Sequence, residues 1–149
     1  MEIELTQHTK LSVIVEALAS GKRCKLVVEK PVEKSFFGVK HFQKSEFACK
    51  CGGRYCDGYP AEVSETLAVG LDTLREYCGK PVIISSGLRC EKHNVNVGGV
   101  VSSWHKKGRA ADFAVCGQTA QETINSVVKI GLKYCELYAI DQNYVHIAF

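Results

Sequence analysis

The 149-residue chain contains no apolar run near the roughly 18 residues that a membrane-spanning helix needs. A membrane partner is therefore not expected. The opening Met1-Glu2-Ile3-Glu4 is acidic and has neither the basic nor the apolar segment of a secretory leader. The expectation is a chain made in the cytoplasm, which reaches any extracellular target only after release. There is no block of like charge either. The 19 Lys and Arg against 16 Asp and Glu leave a net charge of +3. That balance gives no footprint for nucleic acid, although it would help approach to an anionic cell wall. Internal repeats and low-complexity linkers are missing too, so one domain with a real core is expected.

What is present in excess is cysteine, eight in all. Cys49, Cys51 and Cys56 cluster, while Cys24, Cys78, Cys90, Cys116 and Cys135 are scattered. In a chain without a leader, thiols or metal ligands are favoured over disulfides. The cluster is a candidate structural metal site, with a fourth ligand from Cys24, Cys78 or Cys90. No second Cys-x-x-Cys pair completes a recognisable zinc knuckle. Cys78, Cys116 and Cys135 read as small buried hydrophobes.

The hydrophobic pattern gives an α+β domain, a small mainly antiparallel sheet with helices packed on it. Residues 1–35 read as an N-terminal extension packed on a domain spanning 36–149. In the extension, Leu11 to Leu18 reads as a short helix and Cys24 to Glu29 as a strand stopped by Pro31. Residues 47–60 form an irregular loop rich in cysteine and glycine. Val63, Leu67, Leu71 and Leu74 make the apolar stripe of a helix over Ala61 to Tyr77. Glu62, Glu65, Asp72 and Arg75 fall mostly off the stripe and read as a solvated face. Pro81 to Ser85 is a buried strand, and Cys90 to Val97 a short helix ended by Gly98-Gly99. Ala110 to Val115 is a second core strand. Thr119-Ala120-Gln121-Glu122 has the form of a capping box and opens a helix through Ile130. Leu137 to Ile140 and Tyr144 to Phe149 are the last two strands, joined by Asp141-Gln142-Asn143.

The densest chemistry lies in Ser103-Trp104-His105-Lys106-Lys107-Gly108-Arg109-Ala110-Ala111-Asp112. His105 in a loop and Asp112 on the following strand can converge on one metal ion. Gly108 gives the turn between them a backbone conformation closed to other residues, and Ala110 leaves space. His146, on the last strand, supplies a third ligand. Two imidazoles and a carboxylate form a three-ligand zinc set that keeps a position open for water, an arrangement suited to hydrolysis. His41 and His93 fall outside this pattern and read as structural or surface residues. Trp104 is read either as a wall of the substrate groove or as a core anchor.

This pattern resembles the zinc D-alanyl-D-alanine peptidase family, which includes D,D-carboxypeptidases, D,D-dipeptidases and phage L-alanyl-D-glutamate endolysins. That family carries Ser-x-His-x-x-Gly-x-Ala-x-Asp, and every fixed position is matched. Ser85-Ser86-Gly87-Leu88-Arg89, Asn94, Gly98-Gly99 and the stretch Phe42 to Cys51 extend the resemblance. It implies the fold shared with the hedgehog signalling domain. It also implies one catalytic zinc held by His105, Asp112 and His146, a peptidoglycan peptide as substrate, and a monomer. Arg89 would stabilise an oxyanion or hold a substrate carboxylate, and Ser103 and Trp104 would contact substrate.

The general base is the weak point of the pattern. Asn143 and Tyr144 stand where many relatives carry a carboxylate or a histidine. Asp141, the nearest carboxylate in sequence, is the candidate base, and Glu136 is a more distant candidate. Two rival readings follow. One is a non-catalytic zinc-binding domain that binds cell wall or a protein partner. The other is an interaction module stapled by zinc at the cysteine cluster.

Overall fold

The computed structural model describes residues 3–5, 24–26 and 36–149. The chain divides into two units, Met1–Ser35 and Phe36–Phe149. In the first, strand β1 (Ile3–Leu5) pairs in parallel with β2 (Cys24–Leu26). β2 opens the strand expected from Cys24. The helix expected over 11–18, the rest of that strand and the packing of this segment on the domain lie outside the described residues, as does the side chain of Cys24.

The second unit is a four-stranded antiparallel sheet with three helices, the α+β class expected. The strands are β3 (Val82–Ser86), β4 (Ala110–Val115), β5 (Glu136–Ala139) and β6 (Val145–Ala148). Their order across the sheet is β3-β4-β6-β5. The helices are α1 (Glu65–Cys78), α2 (Glu91–Asn96) and α3 (Ala120–Lys129).

Periodicity explains how these elements meet. Val63, Leu67, Leu71 and Leu74 are all buried, so the stripe faces the sheet. α1 stops at Gly79, whose φ of 60° closes the helix in the left-handed conformation. Phe113 and Val115 of β4, with Val145 and Ile147 of β6, complete the core beneath α1 and α3. Thr119 and Glu122 form the expected capping box, each side chain bonded to the other's backbone N–H.

Asp72 departs from the solvated face assigned to it. It is buried, and its carboxylate accepts the amides of Lys40 and His41 at 3.1 and 3.0 Å. The chain entering the domain folds over this side of α1, so a helix face that looks polar in sequence is covered. The thiols also need correction. Cys116 and Cys135 are exposed and Cys78 is only half-buried. Cys116 sits in the turn that ends β4, and Cys135 precedes β5, the edge strand. Among the described residues, no second layer covers either position.

Candidate metal centre

Register builds the site. Across the sheet, Ser86 pairs with Asp112, Asp112 with His146, and His146 with Tyr138. One row of side chains therefore crosses all four strands on the face opposite Phe113. His105 joins from outside the sheet. It lies on a short 3-10 helix, Trp104–Lys107, that ends at Gly108 with a φ of 68°. A Cβ on Gly108 would collide with the carbonyl of Glu62, so glycine is required by space as well as by conformation.

His105 and His146 are buried, and Asp112 keeps only 13% of its side-chain surface exposed. One ligand atom from each of the three lies within 4.8 Å of the other two. The hydrogen bonds show what this arrangement needs. His105 Nδ1 is 2.7 Å from the Gly87 carbonyl, which can only accept, so Nδ1 carries the proton. In a neutral ring Nε2 then presents its lone pair to Asp112 Oδ1 at 3.1 Å. Two acceptors at that distance call for a proton or a metal ion between them. His146 faces a carboxylate at each ring nitrogen, Nδ1 2.7 Å from Asp112 Oδ1 and Nε2 3.2 Å from Glu136 Oε2, and a neutral ring donates to only one of them, so the other contact makes the same demand. Burial alone would raise the Asp112 carboxyl. When the ring nitrogens that face it carry protons, hydrogen bonds from His105 and His146, with the charge of Arg89 nearby, hold it well below the usual carboxylate range. The donor set and its geometry fit zinc.

Arg89 donates through Nη2 to Asp112 Oδ2 and through Nε to the Ser86 hydroxyl at 2.9 Å. It is thus partly buried beside the three-residue set rather than forming a surface pair. Ser103 and Trp104 line the same cavity, of about 430 Å³, together with Arg89, Glu136, Tyr138 and His146. Trp104 is a wall of the cavity and donates its indole N–H to Glu136 Oε1 at 3.1 Å.

Asp141 is not gathered here. Its carboxylate accepts the amides of Asn143 and Tyr144, both at 2.7 Å, and these bonds lower its pKa. It is a turn residue, and the cavity lining does not include it. Glu136, the more distant carboxylate in sequence, stands at the site instead. Tyr138 stacks on His146, ring centroids 4.7 Å apart, and has no counterpart among the residues read from sequence. Alternation along β5 places Glu136 and Tyr138 on one face, a signal that becomes informative once β5 is paired with β6. His41 is exposed near Glu76, and His93 is half-buried away from this cavity, as expected.

The cysteine cluster is gathered separately. Cys49, Cys51 and Cys56 meet Cys90, while Cys78 lies near Gln118. Burial pushes the Cys49 thiol up and the Cys56 thiol up to about 12, whereas backbone amides, that of Tyr55 foremost, draw Cys51 down to about 6.

The family model for Peptidase M15 matches residues 40–148, which hold every group of the site. The chain belongs to the Peptidase M15 family. Peptidases of this family depend on zinc, so membership makes the chain a zinc metallopeptidase acting on a peptide substrate, and His105, Asp112 and His146 form a group that could hold the ion. A search of curated proteins finds no match to the chain.

Proposed function

We propose that the chain hydrolyses peptidoglycan stem peptides at a bond involving a D-amino acid, with zinc held by His105, Asp112 and His146. The row that brings Asp112 and His146 together beneath His105, at the floor of a polar cavity, is the observation that carries this reading. Zinc bound there supplies a Lewis acid for the scissile carbonyl and makes water a stronger acid. The chain's own groups do the rest. Gly87 fixes the ring of His105 through Nδ1, leaving Nε2 for the ion. The Glu136 carboxylate, held by Trp104 and His146, accepts a proton from the attacking water and returns it to the leaving amine. Arg89 sets its guanidinium charge at the cavity wall, where an oxyanion or a substrate carboxylate would lie. Ser103 and Trp104 line the path of the substrate. The match to Ser-x-His-x-x-Gly-x-Ala-x-Asp and the mild positive charge support a wall peptide as the substrate.

The test is mass spectrometry of fragments released from purified peptidoglycan, with and without a chelator, alongside His105→Ala. New termini that need metal and His105 would establish the activity and name the bond. Zinc binding without release from several wall chemotypes would instead make the chain a wall-binding domain.

A further inference from the structure

Between a short 3-10 helix, Lys44–Phe47, and α1, residues 48–64 form the longest stretch of the second unit without helix or strand between two elements. Irregular loops of that length inside a compact domain are uncommon unless something holds them. Here the loop turns back on itself. Gly52, Gly53 and Gly58 take left-handed φ values of 65°, 78° and 99°, and the Cys49 amide donates to the Gly58 carbonyl at 2.7 Å. The result places Cys51 and Cys56 against Cys49, and all three against Cys90, which caps α2.

Four sulphur atoms lie within 4.8 Å of one another. Those of Cys51 and Cys56 are 3.6 Å apart. A regular tetrahedron with Zn–S bonds of ~2.3 Å has edges of about 3.8 Å. Cys49, Cys51 and Cys90 are buried and Cys56 half-buried. Backbone amides point at the sulphurs, Cys90 to Cys49 Sγ and Gly58 to Cys56 Sγ, both at 3.4 Å, which favours the thiolate form. Lys50 and Arg54 line the cavity beside Cys51, where their charge would offset the negative charge that four thiolates leave on a divalent ion.

We propose that Cys49, Cys51, Cys56 and Cys90 hold a second zinc ion in a closed, structural tetrathiolate site. Four sulphur ligands with no position left for water suit structure rather than catalysis. Each thiol gives up its proton to solvent as it ligates, and no redox partner is needed. The ion would tie the 48–58 loop to the segment after β3. The two segments already touch at their edge, the Leu88 amide donating to the Phe47 carbonyl at 2.7 Å. A Cβ on Gly87 would strike the backbone of Phe47, so the approach depends on glycine. That segment also carries the Gly87 carbonyl that anchors His105 and the Arg89 that pairs with Asp112.

The test is zinc content and coordination of the full chain purified under reducing conditions. Two zinc ions per chain are expected, falling to one in His105→Ala and to one in the Cys51→Ser, Cys56→Ser double variant. X-ray absorption of zinc-loaded His105→Ala should show a shell of sulphur only. Where a variant fails to fold, thiol alkylation of the unaltered chain decides. Cys49, Cys51, Cys56 and Cys90 should resist modification until a strong chelator is added, while exposed Cys116 and Cys135 react at once. A zinc-free His105→Ala chain that keeps its fold, a shell containing nitrogen or oxygen, iron in place of zinc, a Cys51–Cys56 disulfide, or equal alkylation of all these thiols before chelation would each overturn the proposal. Because the sulphur shell is read with His105 removed, failure here leaves the proposed peptidase activity standing.

Discussion

At the scale of single residues, Asp112 is the most heavily used group of the site. Oδ1 meets both histidines and Oδ2 meets Arg89. Its depressed pKa fixes the sign of a pH effect. The contribution to stability is full above the unfolded value of about 3.9 and is lost as pH falls through the lower folded value. Urea midpoints of the chelated chain should therefore fall below about pH 4, and Asp112→Asn should flatten that fall. The carboxylate that moves the proton is the second residue-scale question. Glu136→Gln is expected to lower kcat by about 10²-fold or more while zinc content stays unchanged. Asp141→Asn should leave kcat near the unaltered value, and an equal loss in both variants would return Asp141 to the mechanism. His105 and Asp112 were legible in sequence because their spacing spans one turn and one strand. Glu136 stood only as the more distant carboxylate, because its place at the site depends on which strand lies beside β6, and no local pattern carries that pairing.

At the scale of elements, the apolar stripe of α1 and the capping box of α3 predicted their helices to within a few residues, because both signals are local. Asp72 shows the limit. Its place off the stripe reads as solvent, and only the long-range return of Lys40 and His41 buries it. Asp72→Ala strips two amides of their partner and should cost about 1–3 kcal/mol in chemical denaturation. Thr119→Ala removes the cap of α3 and should cost about 1 kcal/mol by the same measurement. The cysteines failed as a pattern for a related reason. Cys116 and Cys135 look like small apolar residues, but their exposure is decided by a turn and a sheet edge. The choice of Cys90 over Cys78 depends on the approach of two segments some 40 positions apart in the chain.

At the scale of the whole molecule, the Phe36–Phe149 unit contains the four-stranded sheet, a closed core and, among the described residues, both clusters that could hold a metal ion. A chain beginning at Phe36 is expected to keep the cooperative unfolding and the zinc content of the full chain. Loss of either would make residues 1–35 part of the folding unit. The cross-strand row from Ser86 to Tyr138 also acts on folding itself. Side chains alternate along a strand, so a slip of one position in β4 or β6 would turn Asp112 or His146 to the opposite face. A misregistered sheet cannot bring Asp112 and His146 together, whereas the correct register pairs them directly and leaves only His105 to be placed by its 3-10 helix. The same slip would also turn Phe113 and Val115, or Val145 and Ile147, out of the core, so an ion bound by the three groups would add its binding free energy to the register that the apolar residues already favour.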